Sequence, residues 1–163
     1  TSALSIAKLR SELLDLFGQQ GDRGGLAVNI LSFGFKHGIP IEADLVFDVR
    51  FMPNPYYVPE LKNKTGLDQA VRDFVFSFRQ TNDFMEQLEK MLTFLLPLYA
   101  EEGKSALVIA IGCTGGAHRS VAIAEYVAAE LQKLGYGVNV NHRDIALEQA
   151  HWAARSEYQK GEP

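Results

Sequence analysis

Leu107–Ser120, LVIAIGCTGGAHRS, is the stretch on which the fold turns. Leu107 to Ile111 is a short apolar run rich in β-branched residues and reads as a buried strand. Gly112 to Gly116 holds three glycines in five residues, which is turn chemistry and ends that strand. From His118 the period changes: Val121, Ala124, Val127, Ala128, Leu131 and Leu134 share one helical face. The order is strand, small-residue loop, helix. Glycines let backbone N–H groups approach a ligand, and a helix start adds free donors and partial positive charge. Such a corner binds anions, phosphate above all. Arg119 adds a planar, always-charged fork.

Outward from this stretch, the same patterns divide the rest of the chain. Ser5 to Phe17 reads as a helix, with Ser5 as cap, Ile6, Leu9, Leu13 and Leu14 at helical spacing, and Gly18 as stop. Gly18 to Gly25 is a polar, glycine-rich linker. Leu26 to Phe33 is the first strand, Gly34 to Pro40 a turn, and Asp44 to Val49 the second strand. Phe51 to Pro59, with three prolines in nine residues, is a loop bearing aromatic rings. Helices are predicted over Asp68–Phe78 and Thr81–Tyr99, the second kinked or shortened by Pro97. Gly137 to Asn141 is the fourth strand, and Asp144 to Lys160 a last helix carrying Trp152 and Tyr158. Strands alternating with helices predict a three-layer α/β sandwich with a mainly parallel sheet of four or five strands.

The chain of 163 residues fits one domain with a full core. No apolar run reaches about 18 residues, so no membrane span is expected. A single cysteine excludes an internal disulfide and fits the cytoplasm. At a net charge of −4, a polyanion site must be a local patch. One cysteine and scattered histidines lack metal-ligand spacing, so neither a metal nor a resident cofactor is expected.

Parallel sheets bind ligands outside the carboxyl ends of their strands. Each predicted strand leads to a cation or histidine: Lys36 and His37, Arg50, His118 and Arg119, and His142 and Arg143. These groups are expected to gather at one edge as an anion pocket. Asn54, Tyr56 and Tyr57 are either part of a rigid connector with its rings on the core or a wall of that pocket. His151 reads as structural. The C-x5-R-S spacing of Cys113, Arg119 and Ser120 is similar to the phosphate loop of protein tyrosine phosphatases. The alternative reading is therefore a cysteine phosphatase with Cys113 as nucleophile, Arg119 as clamp and Asp44 or Asp48 as acid. A third is an oligomerisation module with an incidental anion site. There is no G-x4-G-K-[ST] segment.

SFGFKHGIP (Ser32–Pro40), DLVFDVRFMPNPYYVPEL (Asp44–Leu61), TGLD (Thr65–Asp68), AIGCTGGAHRSVAIAE (Ala110–Glu125) and NHRD (Asn141–Asp144), in that order, resemble the RapZ/YvcJ family. These are bacterial nucleotide-binding proteins, also called RNase adaptor proteins. The resemblance implies a two-domain parent whose P-loop domain binds ATP or GTP. Residues 1–25 would be the trailing helix and linker of that domain. Residues 26–163 would be the C-terminal domain, similar to a phosphofructokinase subdomain. The resemblance further implies that this domain is regulatory and not itself an enzyme. It would sense a phosphorylated amino sugar, bind small RNA, work with an RNase, and self-associate to a dimer or tetramer. Carried over by motif, its pocket would use Lys36, His37, Cys113, Thr114, Gly115, Gly116, His118 and Arg119. Ala117 stands where some members carry lysine, and Tyr56 where some carry histidine. The end of the chain, RDIALEQAHWAARSEYQKGEP, is mixed in charge where RNA-binding members can be basic, which predicts weak RNA affinity. Replacing Arg119 with alanine is expected to cost anion affinity and leave the fold intact.

Overall fold

A computed structural model describes residues 25–161; the helix expected over Ser5–Phe17 lies outside them. The elements are β1 (Ala27–Gly34), β2 (Leu45–Asp48), α1 (Gln69–Phe76), α2 (Arg79–Glu102), β3 (Ala106–Cys113), α3 (Arg119–Lys133), β4 (Gly137–His142) and α4 (Ile145–Lys160). The four strands form one sheet in the order β2-β3-β1-β4, every pair parallel. This is the α/β class that the alternating pattern predicts, within the expected strand count.

The core explains the alternation. Val28 and Ile30 of β1 and Leu107, Ile109 and Ile111 of β3 are buried in one cluster. Val71 and Val75 of α1, Met85, Leu88, Leu92 and Leu96 of α2, and Ile123, Val127 and Leu131 of α3 complete it. Successive strand residues point to opposite faces, so Leu31, Phe33 and Ala110 turn to the other side, where they too are buried.

The link after β1 is the turn expected there, and α2 runs longer than expected. The ten residues from Phe35 to Asp44 join β1 to β2 without an α-helix, through a short 3-10 turn at Phe35–His37. The return path is short because β2 starts partway along its neighbour, Leu45 lying beside Ile109. Pro97 does not end α2, which runs on to Glu102 and stops at Gly103 in the left-handed conformation, φ 99°. Leu96, wholly buried, anchors that last stretch to the core.

The strands finish level with one another. Gly34 pairs with Cys113, Asp48 with Gly112 and Ser32 with His142. The loops after β1, β2 and β3 therefore meet at one edge. Two glycines permit the contact. A Cβ on Gly34 would lie 2.3 Å from the Gly115 backbone, and one on Gly116, at φ +89°, would lie 2.5 Å from the Gly34 nitrogen. Among the described residues no helix is long and apolar enough to cross a membrane.

Candidate ligand-binding site

A pocket of about 290 Å³ opens at this edge. The β3–α3 loop supplies Cys113, Thr114, Gly115, Ala117, His118 and Arg119, and Lys36 comes from the turn after β1. Asn54, Tyr56 and Tyr57 come from the proline-rich loop, and Glu148, His151, Trp152 and Arg155 from α4. Arg119, His118 and Lys36 thus share one cleft, as the strand-end argument expects.

Arg119 is the central group and is only 4% exposed. Its Nη1 donates to the carbonyls of Arg50 at 2.8 Å and Met52 at 2.9 Å, and its Nη2 to Thr114 Oγ1 at 3.3 Å. These bonds tie the start of the proline-rich loop to the β3–α3 loop. Its Nε is buried and has no hydrogen-bond partner. Burial pushes the guanidinium pKa down, against the opposing pull of Cys113 and Asp48. Arg119 thus clamps two backbone carbonyls as well as lining the pocket.

Cys113 lies at the pocket floor, 2% exposed. Its Sγ accepts from the Gly116 N–H at 3.3 Å and lies 3.1 Å from Ser120 Oγ. Ser120 and Gly116 hold the sulfur from behind and do not line the pocket. Lys36 N donates to Thr114 O at 3.3 Å, seating the first turn on the loop.

His118 reaches Lys62 O with Nε2 at 3.1 Å and stacks on Trp152, centroids 5.2 Å apart. Burial is the largest effect on its ring and holds the pKa below the usual histidine value. A neutral ring donating to a carbonyl is a wall of the pocket, not a cation in it. Opposite, Asn54 Oδ1 accepts from Tyr56 N at 3.1 Å and shapes a short 3-10 turn over Pro55–Tyr57. Tyr57 is 81% exposed, so its ring does not pack on the core. Arg155 of α4 donates to the Tyr56 hydroxyl and, at 3.0 Å, to His151 Nε2, which bridges the mouth.

Four other expected residues do not line the pocket. Arg50 folds back on Asp48, Nη2 to Oδ2 at 2.7 Å, with its guanidinium 4.0 Å from the centroid of the Phe35 ring. His37 bonds Glu148 Oε1 at 3.0 Å. His142 bridges Ser32 Oγ and Glu125 Oε1, both at 2.7 Å, beneath α3. Arg143 binds Asp144 at 2.8 Å and Gly38 O at 2.6 Å. The last two are kept away by strand order: β4 lies beyond β1, two strands from β3, or roughly 10 Å sideways. Asp144, buried, accepts from the Gly34 N–H at 2.8 Å. Burial acts to raise its pKa, but Arg143 and that N–H outweigh it and leave the carboxyl low. The NHRD motif thus braces the end of β1.

The α4 wall is what sequence reasoning missed. Glu148, His151, Trp152 and Arg155 repeat at helical spacing, which was a visible signal of a shared face. Nothing in that spacing says that the face turns back over the loop. His151, read as structural, lines the pocket.

Residues 26–146 match the RapZ C-terminal domain family; the α4 residues of the pocket lie beyond that match. The chain is 53% identical over 151 residues to nucleotide-binding protein Bcer98_3698 of Bacillus cytotoxicus. It is 52% identical over 151 residues to nucleotide-binding protein BcerKBAB4_4948 of Bacillus mycoides and to BCB4264_A5274 of Bacillus cereus. Each alignment covers 93% of this chain and 51% of the relative. The chain therefore spans about half the length of the curated relatives it matches.

Proposed function

The chain belongs to the RapZ C-terminal domain family, and from that premise we propose that its pocket binds a phosphorylated small molecule, a phosphorylated amino sugar first of all. The observation that carries this reading is the Arg119 guanidinium in the pocket lining, a planar cation beside a cavity. Lys36 and the glycine-rich backbone support the same chemistry.

On this reading the domain is regulatory, not catalytic. Arg50 contacts both Asp48 carboxylate oxygens, at 3.0 Å or less for its closest bonds, so Asp48 is held by Arg50 and is not free to act as the acid for Cys113. Arg119 commits Nη1 to two carbonyls, so it does not present a full fork to a transferring phosphoryl group. The nucleotide site named in the relatives is assigned to the half of their length outside this chain, a view supported by the missing G-x4-G-K-[ST] segment. RNA phosphate is the second ligand class. One pocket offers few cations, so RNA affinity would need several pockets brought together by self-association to a dimer or tetramer. An RNase partner and a cytoplasmic setting complete the proposal.

The test is calorimetric titration of a hexosamine 6-phosphate and of a structured RNA into wild type and Lys36→Met. The sugar phosphate should bind wild type, and the variant, folded by circular dichroism, should lose about tenfold or more in affinity, the scale of a charged hydrogen bond. RNA should bind weakly and weaken further with salt. Failure of wild type to bind the sugar phosphate overturns the reading. Cysteine-dependent turnover of an aryl phosphate would replace it with the phosphatase.

A further inference from the structure

The wall of this anion pocket contains a carboxylate. Glu148 is 6% exposed and lines the cavity. Its Oε1 takes Lys36 Nζ at 2.5 Å and His37 Nε2 at 3.0 Å. Its Oε2 accepts no hydrogen bond from the described residues and lies over Gly115, 2.8 Å from where a Cβ would stand. Burial acts to raise its pKa, but the bonds and charges of Lys36 and His37 outweigh it and keep the carboxyl low. Glu148 is therefore ionised near neutral pH. A site built only to attract phosphate gains nothing from a fixed negative charge in its wall. Repulsion of that kind serves discrimination, because specificity is a difference between affinities.

Resting on the reading of the pocket as a phosphate site, we propose that Glu148 determines its specificity. It admits phosphorylated molecules whose carbon skeleton carries hydrogen-bond donors, hydroxyl or ammonium, and rejects bare polyanions. The free Oε2 accepts from such a donor, which offsets the repulsion felt by the phosphate. A bare polyanion brings no donor from a carbon skeleton and meets the repulsion unrelieved. Lys36 links the two functions, since its Nζ pairs with Glu148 Oε1 and the same side chain lines the cavity.

The experiment compares the dissociation constants of pyrophosphate and a hexosamine 6-phosphate for wild type, Glu148→Gln and Glu148→Asp. Glutamine retains an acceptor for Lys36 and His37 and removes the charge. Wild type should prefer the sugar phosphate, and Glu148→Gln should shrink that preference about tenfold. Glu148→Asp keeps the charge and should still reject pyrophosphate; it carries the test if the glutamine variant does not fold. A purely structural role would weaken both ligands alike and leave their ratio unchanged. A ratio within about twofold of wild type in Glu148→Gln, or a wild type that prefers pyrophosphate, overturns the filter alone. A wild type that binds neither ligand overturns the phosphate-site reading, and the filter with it.

Discussion

Arg119 joins two loops through the carbonyls of Arg50 and Met52, so its replacement by alanine acts on stability as well as binding. Charged hydrogen bonds contribute about 1.5–3 kcal/mol each. Arg119→Ala should therefore lower the unfolding free energy by roughly 2–3 kcal/mol in urea titrations, besides weakening anion binding. An unchanged urea midpoint would remove the clamp from the account. His118 gives a second test at this scale. Trp152 is the only tryptophan in the chain, and it stacks on the His118 ring. Protonation of that ring should quench its fluorescence. Because burial lowers the His118 pKa, the quench should have its midpoint below about 6.5, the ordinary histidine value, and His118→Gln should abolish it. Residue types were legible here: a cysteine, a histidine and an arginine around glycines mark a loop worth attention. Which atoms are free and which are spent on carbonyls was not, because those partners lie more than 60 positions away.

At the scale of elements, β1 and the β3–α3 loop touch backbone to backbone through Gly34 and Gly115. Gly34→Ala puts a methyl group against main chain that cannot rotate away. Overpacking of this kind costs about 1–3 kcal/mol. Thermal unfolding should show the lower stability, and titration should show ligand affinity falling with it. In α2, Pro97 withholds an N–H from Thr93 and stands at an exposed position. Proline in a helix interior is about 3 kcal/mol worse than alanine, partly offset by its stiffening of the unfolded chain. Pro97→Ala should raise the melting temperature; a fall would contradict this balance. The elements themselves were readable from hydrophobic period, because each buries one stripe or one face. The link from β1 to β2 was readable as a turn, but the staggered start of β2 was not, since it is set by pairing with β3.

For the whole molecule, the titrating groups set how stability varies with pH. His118 has a lowered pKa, so the unfolded chain takes up its proton first and stability is lost as pH falls below about 6.5. Asp144 and Glu148 also have lowered pKa values in the folded state. Their contribution is complete above the ordinary carboxylate range and is lost as pH falls through the folded values. All three act in one direction. Urea midpoints should decline on acidification in two stages, and His118→Gln should remove the first. A midpoint that rises between pH 7 and 5 would contradict these signs. The sequence by itself determined the class of fold and the loop at its centre, because hydrophobic period and glycine placement are local properties of the chain. It also placed positive and imidazole groups after every strand. Only the tertiary structure decided which of them share a pocket. Strand order carries His142 and Arg143 to the far side of β1, and ion pairing turns Arg50 onto Asp48. The return of α4 over the loop brings in Glu148, His151, Trp152 and Arg155, since the direction of a helix is fixed by what it packs against.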